Sequence, residues 1–239
     1  MEIQNKVATL KLKLIDPMIY DITEILNITA NKTGQDNHGV QLMAMISVLV
    51  AIETVSQFII SEALEAFVIE AKSIYKGLSK VQKLYTLPRI IPQGINSPIT
   101  FMENYFEPIF KNTVMGEINL NLAEMIWKFR NSQAHAFYPF MLEDRSVRGR
   151  VNWMYQKPSE RKGISIHEIE LLNKTTPQAV YGIEEGEKGT KWIAVNVQVL
   201  FVYFKIALDK YFQAINSDTA VAEVFLRNYQ RLKTLYMFE

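Results

Sequence analysis

Arginine, asparagine and histidine fall within six residues at Arg130-Asn131-Ser132-Gln133-Ala134-His135, just after Trp127-Lys128-Phe129. Together these side chains could bind a phosphate ester and move its protons without a metal. Arginine offers a fixed positive fork, the asparagine amide both donates and accepts, and histidine titrates near neutral pH. Ahead of them, Ile118, Leu122, Met125, Ile126 and Phe129 recur at helical spacing. The triad is therefore expected near the end of an amphipathic helix that begins at Asn112-Thr113.

Spacing limits how the three could act. On a continuous helix Asn131 and His135, four apart, share a face. Arg130 and His135 are five apart, which leaves them about 140° out of phase. One site can use both only if the helix breaks between them or if two copies of the segment meet. With 8 arginines and 3 histidines in the chain, Arg and His at a fixed offset arise readily by chance. Asn directly after Arg makes the constellation far more selective. Arg227-Asn228 is an internal control, the same dipeptide in an apolar-periodic segment with no histidine after it. A plain structural alternative is a capped helix end with a solvated arginine and a partly buried histidine.

Arg-Asn-x-x-x-His closing an apolar helix, in an otherwise helical chain, resembles the signature of the HEPN domain family. That pattern is Arg, four to six residues, then His, often with Asn after the Arg. The resemblance implies an α-helical bundle and, for many members, a metal-independent endoribonuclease of toxin–antitoxin, phage-defence or RNA-processing systems. It also implies a homodimer in which two motifs form one cleft. The motif spans six residues, the helical pattern extends the likeness loosely to both halves of the chain, and residues 141–192 have no counterpart. In the family, a polar or acidic residue often lies near the Arg–His pair, which makes Glu53 the candidate orienter here. A tyrosine two residues after the histidine is adenylylated in some toxins of the family. Phe137 holds that position and Tyr138 follows it, so no such regulation is expected.

The chain has 239 residues, half of them hydrophobic and a fifth charged, which fits a globular protein with a substantial core. A single domain over 1–239 is expected. The net charge of +1 argues against a uniformly basic nucleic-acid coat but not against a local patch. Between Lys128 and Lys162 there are 8 Lys+Arg against 3 Asp+Glu, a net of +5. Arg145, Arg148, Arg150, Arg161 and Lys162 could thus form an RNA-binding lip beside the motif, or a solvated hairpin. The absence of cysteine excludes disulfides and thiolate zinc sites. Met1-Glu2-Ile3-Gln4 lacks the features of a signal peptide, and the uncharged run Val40–Ile52 is too short to span a bilayer. A cytoplasmic protein that does not enter membranes is the expectation.

The remaining pattern sets the elements that must hold the motif. Ile3, Val7, Leu10 and Leu14 fit a helix better than a strand, and Asp16-Pro17 reads as a cap opening a second one. Residues 40–76 form the longest periodic segment, with Glu53 as its first charge; a solvated stripe with Gln57 is the alternative to an orienting role. Residues 86–98, with three prolines, are a connection. Ser97-Pro98 then opens a helix whose Phe101, Tyr105, Phe106, Ile109 and Phe110 suit core packing better than base stacking. After Pro139 the texture becomes β-branched and alternating. Val147–Tyr155, Ile164–Ile169 and Val180–Ile183 read as strands of a β-rich hairpin insert at 141–192. Helical periodicity returns at about 194–215, and Ser217-Asp218 caps a last helix. His38, in a turn, and His167, in a strand, have no second ligand at metal-binding spacing, so neither metal nor cofactor is expected.

The sequence therefore points to a mainly α, HEPN-like bundle with a β insert. Its expected activity is endonucleolytic cleavage of single-stranded RNA by 2′-hydroxyl attack, with Arg130, Asn131 and His135 as catalytic groups. The alternatives are a non-catalytic module binding nucleotide, RNA or a separate nucleotidyltransferase, and a dimeric scaffold. An antitoxin is a further expected partner.

Overall fold

In the structure, a computed structural model, residues 2–31, 38–60, 97–106, 114–115, 118–136, 140–143, 148–154, 164–185 and 191–236 are described. Helix α1 (Glu2–Leu10) passes without a break through a π-helical turn (Lys11–Ile15) into α2 (Asp16–Asn31). The expected new start at Asp16-Pro17 is therefore corrected. The Asp16 amide bonds the Lys11 carbonyl five residues back, widening the helix immediately before the proline ring. Lys11 Nζ reaches Asp16 Oδ1 at 2.5 Å across the same turn.

Helix α3 (His38–Ser56) begins at His38, which is thus a helical residue and not part of a turn, and it continues as a 3-10 turn (Gln57–Ile59). Ile60 is extended, so the helix expected to run to residue 76 stops here. Tertiary contacts override its periodicity. Asn228 Nδ2 donates to the carbonyl oxygens of Phe58 (3.0 Å) and Ile60 (2.9 Å), Arg227 Nη2 donates to Ile60 (2.6 Å), and Tyr211 Oη donates to Phe58 (3.2 Å). Carbonyls that another helical turn would have used are taken by side chains, which is how a helix end is satisfied.

Helix α4 (Ser97–Tyr105) opens at Ser97-Pro98 as expected. Strands β1 (Val114–Met115) and β2 (Ile118–Asn121) then form a small antiparallel pair, and only afterwards does α5 (Leu122–Ala136) begin. The expected helix start at Asn112-Thr113 is corrected accordingly. Ile118-Asn119-Leu120-Asn121 alternates apolar and polar, the two-residue period of a strand, although Ile118 also sits four residues before Leu122.

The β-rich region contains β3 (Phe140–Glu143), β4 (Arg148–Met154), α6 (Ile166–Thr175), β5 (Tyr181–Glu185) and β6 (Lys191–Asn196). Its four strands lie in the order β3-β4-β6-β5. The outer pairs are antiparallel and the central pair β4–β6 is parallel. A parallel pair needs a long crossover, and α6 lies within it. Ile164–Ile169, expected as a strand, belongs largely to α6, and His167 with it. Ser165 forms a capping box there: its Oγ accepts from the Glu168 amide at 3.3 Å, while Glu168 Oε2 accepts from the Ser165 amide at 2.7 Å. The Ser165 hydroxyl, which also donates to Glu168 Oε2 at 2.7 Å, and then the Ser165 amide hold the Glu168 carboxyl below the usual carboxylate range.

Asn196 ends β6 and starts α7 (Val197–Ser217), its Oδ1 accepting from the Val199 amide at 3.1 Å. Every residue from Val197 to Phe204 is buried, so α7 is the central element, packed against α3, α4, α6, α8 (Thr219–Tyr236) and β6. Asp218 caps α8 by accepting from the Ala220 amide at 2.8 Å. Phe58, Phe101, Tyr105, Phe106, Tyr211, Phe212 and Phe225 join in one aromatic core, with Tyr105 and Tyr211 ring centroids 5.0 Å apart. Phe101 and Phe106 are buried, as core packing requires, while Ile109 and Phe110 lie outside the described residues. The described chain is mostly helical.

One helical stretch, Val40–Ile59, is by length and composition long enough to cross a membrane, because the helix continues beyond the uncharged run through Glu53. Half of it is buried inside the fold, against α2, α4, α5 and α7. Packing on several sides explains why it is apolar nearly all round at its start.

Candidate functional site

Helix α5 packs against α3 and α4, burying Leu122, Ala123, Met125, Ile126 and Phe129. That stripe fixes the helix rotation and so determines where Arg130 emerges. Its guanidinium lies at the edge of the contact with α3, where Nη2 donates to Glu53 Oε2 in an ion pair between residues far apart in sequence. The side chains of Arg130 and Glu53 are 17% and 31% exposed. Desolvation is therefore partial, and the pair lies between the surface and buried regimes. The Trp127 ring, one turn earlier on α5, lies 5.1 Å from Arg130 Cζ. The arginine is thus held at its edge by a carboxylate and over its face by an indole.

Glu53 is the first charge after a long apolar run, and its place opposite Arg130 is a fact of helix phase. Ser56 Oγ donates to the Glu53 carbonyl at 2.7 Å, closing the last turn of α3 just before its captured end. The carboxylate therefore stands on a turn of α3 that is tied down from two directions.

Asn131 and His135 occupy the next turns of α5, which is continuous from Leu122 to Ala136. A break at Ser132 or Gln133, one of the two ways to unite Arg130 with His135, is absent. On this unbroken helix the two remain about 140° apart. Arg148 and Arg150 lie two residues apart in β4, an interior strand, paired in register with Glu143 and Met141 of β3. Arg145, Arg161, Lys162, Phe137 and Tyr138 lie outside the described residues. Among the described residues, no group of three or more His, Asp or Glu could hold a metal ion.

Two functional side chains are not apparent from the motif alone. Trp127 has no obvious role until the helix phase sets it under Arg130. Asn228 lies at a helical interval from Val221, Val224, Phe225 and Leu232 on an apolar stripe, and a polar residue in such a place signals a buried hydrogen-bonding task. Comparison with known protein families, characterised proteins and solved structures finds no match to this chain.

Proposed function

We propose that the chain is a HEPN-type, metal-independent endoribonuclease acting on single-stranded RNA, with RNA its principal partner and the cytoplasm its place of action. One observation carries this: Arg130, the first residue of the Arg-Asn-x-x-x-His motif, is held by Glu53 across the α3–α5 contact. A solvated helix cap would have no need of such a partner. Arg130 would bind the scissile phosphate and stabilise the charge that grows on it in the transition state. His135 would take the 2′-hydroxyl proton or return one to the leaving 5′-oxygen, a contribution of typically 10²–10⁴-fold. The products are a cyclic phosphate and a free 5′-hydroxyl. Asn131 would orient His135 or bind a phosphate oxygen, and Glu53 would keep the guanidinium in place.

Because α5 is unbroken, the positions of Arg130 and His135 within one copy are about 140° apart around the helix. A homodimer with two α5 ends facing across a cleft would bring Arg130 of one copy to His135 of the other. The test is incubation with labelled single-stranded RNA in excess EDTA, with Arg130→Ala and His135→Ala beside the wild type. Cleavage in the wild type alone, with a cyclic phosphate end, is expected. Absence of cleavage with retained RNA binding would favour the non-catalytic binding module instead, or the partner of a nucleotidyltransferase or antitoxin.

A further inference from the structure

Arg130 has to offer a phosphate the same donors each time, yet its long side chain carries about 2 kcal/mol of rotamer entropy to lose. Glu53 accepts from one edge of the fork. The second restraint lies within α5. Trp127 and Arg130 are three residues apart, neighbours on the helix surface, and the guanidinium carbon sits 5.1 Å from the indole ring. That distance is within the range of a cation–π contact, for which tryptophan is the strongest partner. Trp127 is itself anchored, half-buried and packed against the hydrophobic core, so its ring is a fixed surface and not a second mobile side chain.

We infer that Trp127 is the positioning residue for Arg130, presenting its guanidinium to an RNA phosphate by stacking beneath it while Glu53 holds the edge. Trp127 touches no reacting atom in this arrangement; it acts through Arg130. The inference rests on the proposed ribonuclease function, although the stacking has a readout of its own. A ring that lacks the indole's area should hold Arg130 less well, and an aliphatic side chain of similar bulk should not hold it.

The experiment compares Trp127→Phe, Trp127→Leu and wild type in two measurements. The first is the rate at which phenylglyoxal, an arginine-directed reagent, modifies Arg130, followed by peptide mass spectrometry. Arg130 should react about fivefold faster in the leucine variant and at an intermediate rate in the phenylalanine variant. Equal rates in all three proteins would overturn the inference, whatever the protein does to RNA. The second is affinity for a non-cleavable 2′-O-methyl single-stranded RNA in a double-mutant cycle with Arg130→Ala. Trp127→Leu should weaken binding about fivefold alone and by less than about twofold in the Arg130→Ala background. Equal losses in both backgrounds would show that Trp127 acts independently of Arg130 and would also overturn it. Wild-type affinity and cleavage in Arg130→Ala would instead remove the proposed function, and the modification rates would still decide the stacking. If the leucine variant does not fold, Trp127→Met supplies the aliphatic comparison.

Discussion

Asn228→Ala should destabilise the protein by about 2 kcal/mol without touching the candidate site directly. Asn228 is fully buried, and its amide donates to Phe58 at 3.0 Å and to Ile60 at 2.9 Å. Each carbonyl keeps another donor after the change, Tyr211 Oη for Phe58 and Arg227 Nη2 for Ile60. Neither acceptor is orphaned, so the loss is the net value of two hydrogen bonds, about 1 kcal/mol each. The space left by the deleted amide adds roughly another 1 kcal/mol. Against that, Asn228 Oδ1 is buried with no hydrogen-bond partner, and its removal returns a comparable amount. For a chain of this size, about 2 kcal/mol corresponds to a melting temperature lower by roughly 4–8 °C. Asn228→Asp should be worse, by about 3–5 kcal/mol, because it replaces two donors with a buried charge facing carbonyl oxygens. Thermal and urea unfolding followed by circular dichroism measure both. An alanine variant that melts within about a degree of wild type, or an aspartate variant as stable as the alanine one, would refute the assignment of Asn228 as the residue that holds the end of α3.

Arg130→Ala and His135→Ala should each abolish RNA cleavage while leaving the helical signal nearly unchanged, with Arg130→Ala costing at most about 1–2 kcal/mol because its ion pair is partly solvated; wild-type cleavage in either variant would remove the mechanism. Burial, and secondarily the neighbouring Tyr105, push the Tyr211 hydroxyl well above its ordinary value. A raised folded-state pKa leaves its stabilising contribution intact below about pH 10 and erodes it above, by up to about 1.4 kcal/mol per pH unit, so alkaline unfolding should be shallower in Tyr211→Phe. The depressed Glu168 carboxyl has the opposite sign: its contribution is present above about pH 4.3 and lost as the pH falls, so Glu168→Gln should flatten the acid limb of stability. If the basic residues contact phosphates, Arg145→Ala, Arg148→Ala and Arg150→Ala together should flatten the slope of log affinity against log salt by roughly two units, with cleavage at saturating RNA retained.

The sequence was most informative where a single period governed a long segment, and least where two periods coincided or a distant side chain intervened. Helical periodicity at about 194–215 and the Ser217-Asp218 cap lead to α7 and α8, although residues 194–196 end β6 and α7 starts only after Asn196. Ile118 is ambiguous because it sits four residues before Leu122 and also alternates with Asn119 and Asn121; pairing with β1 resolves it as a strand. Ser165-Ile166-His167-Glu168 carries the Ser-x-x-Glu pattern of a capping box, a local signal strong enough to outrank the alternation of Ile164 and Ile166. Two features had no local signal. The stop at Ile60 comes from Arg227 and Asn228, more than 160 residues away, and no window centred on α3 contains them. The parallel pairing of β4 with β6 likewise joins segments separated by α6 and β5. At the site, Glu53 stood out as an acid after an apolar run and the family resemblance set it near the Arg–His pair; that Arg130 in particular is its partner follows from the packing of α3 on α5.

The two Arg-Asn dipeptides of this chain show why a dipeptide carries no function by itself. Arg130 of the first and both residues of the second reach α3 and its end from apolar-faced helices, one or two turns apart: Arg130 at Glu53, Arg227 and Asn228 at Phe58 and Ile60. In the second, the asparagine is buried and both side chains donate to backbone carbonyls, which carry no net charge and do not leave. Its task is completed by folding. In the first, the arginine meets a carboxylate that is 31% exposed, a charged partner at the edge of the α3–α5 contact. The same helix thus receives one arginine committed to structure and one whose charge is matched at an accessible edge. The anchoring of α3 by α8 holds Glu53, one to two turns from the captured end, in place against α5. Loosening the Phe58–Asn228 contact should therefore reach Arg130 through α3, without any change in α5 itself.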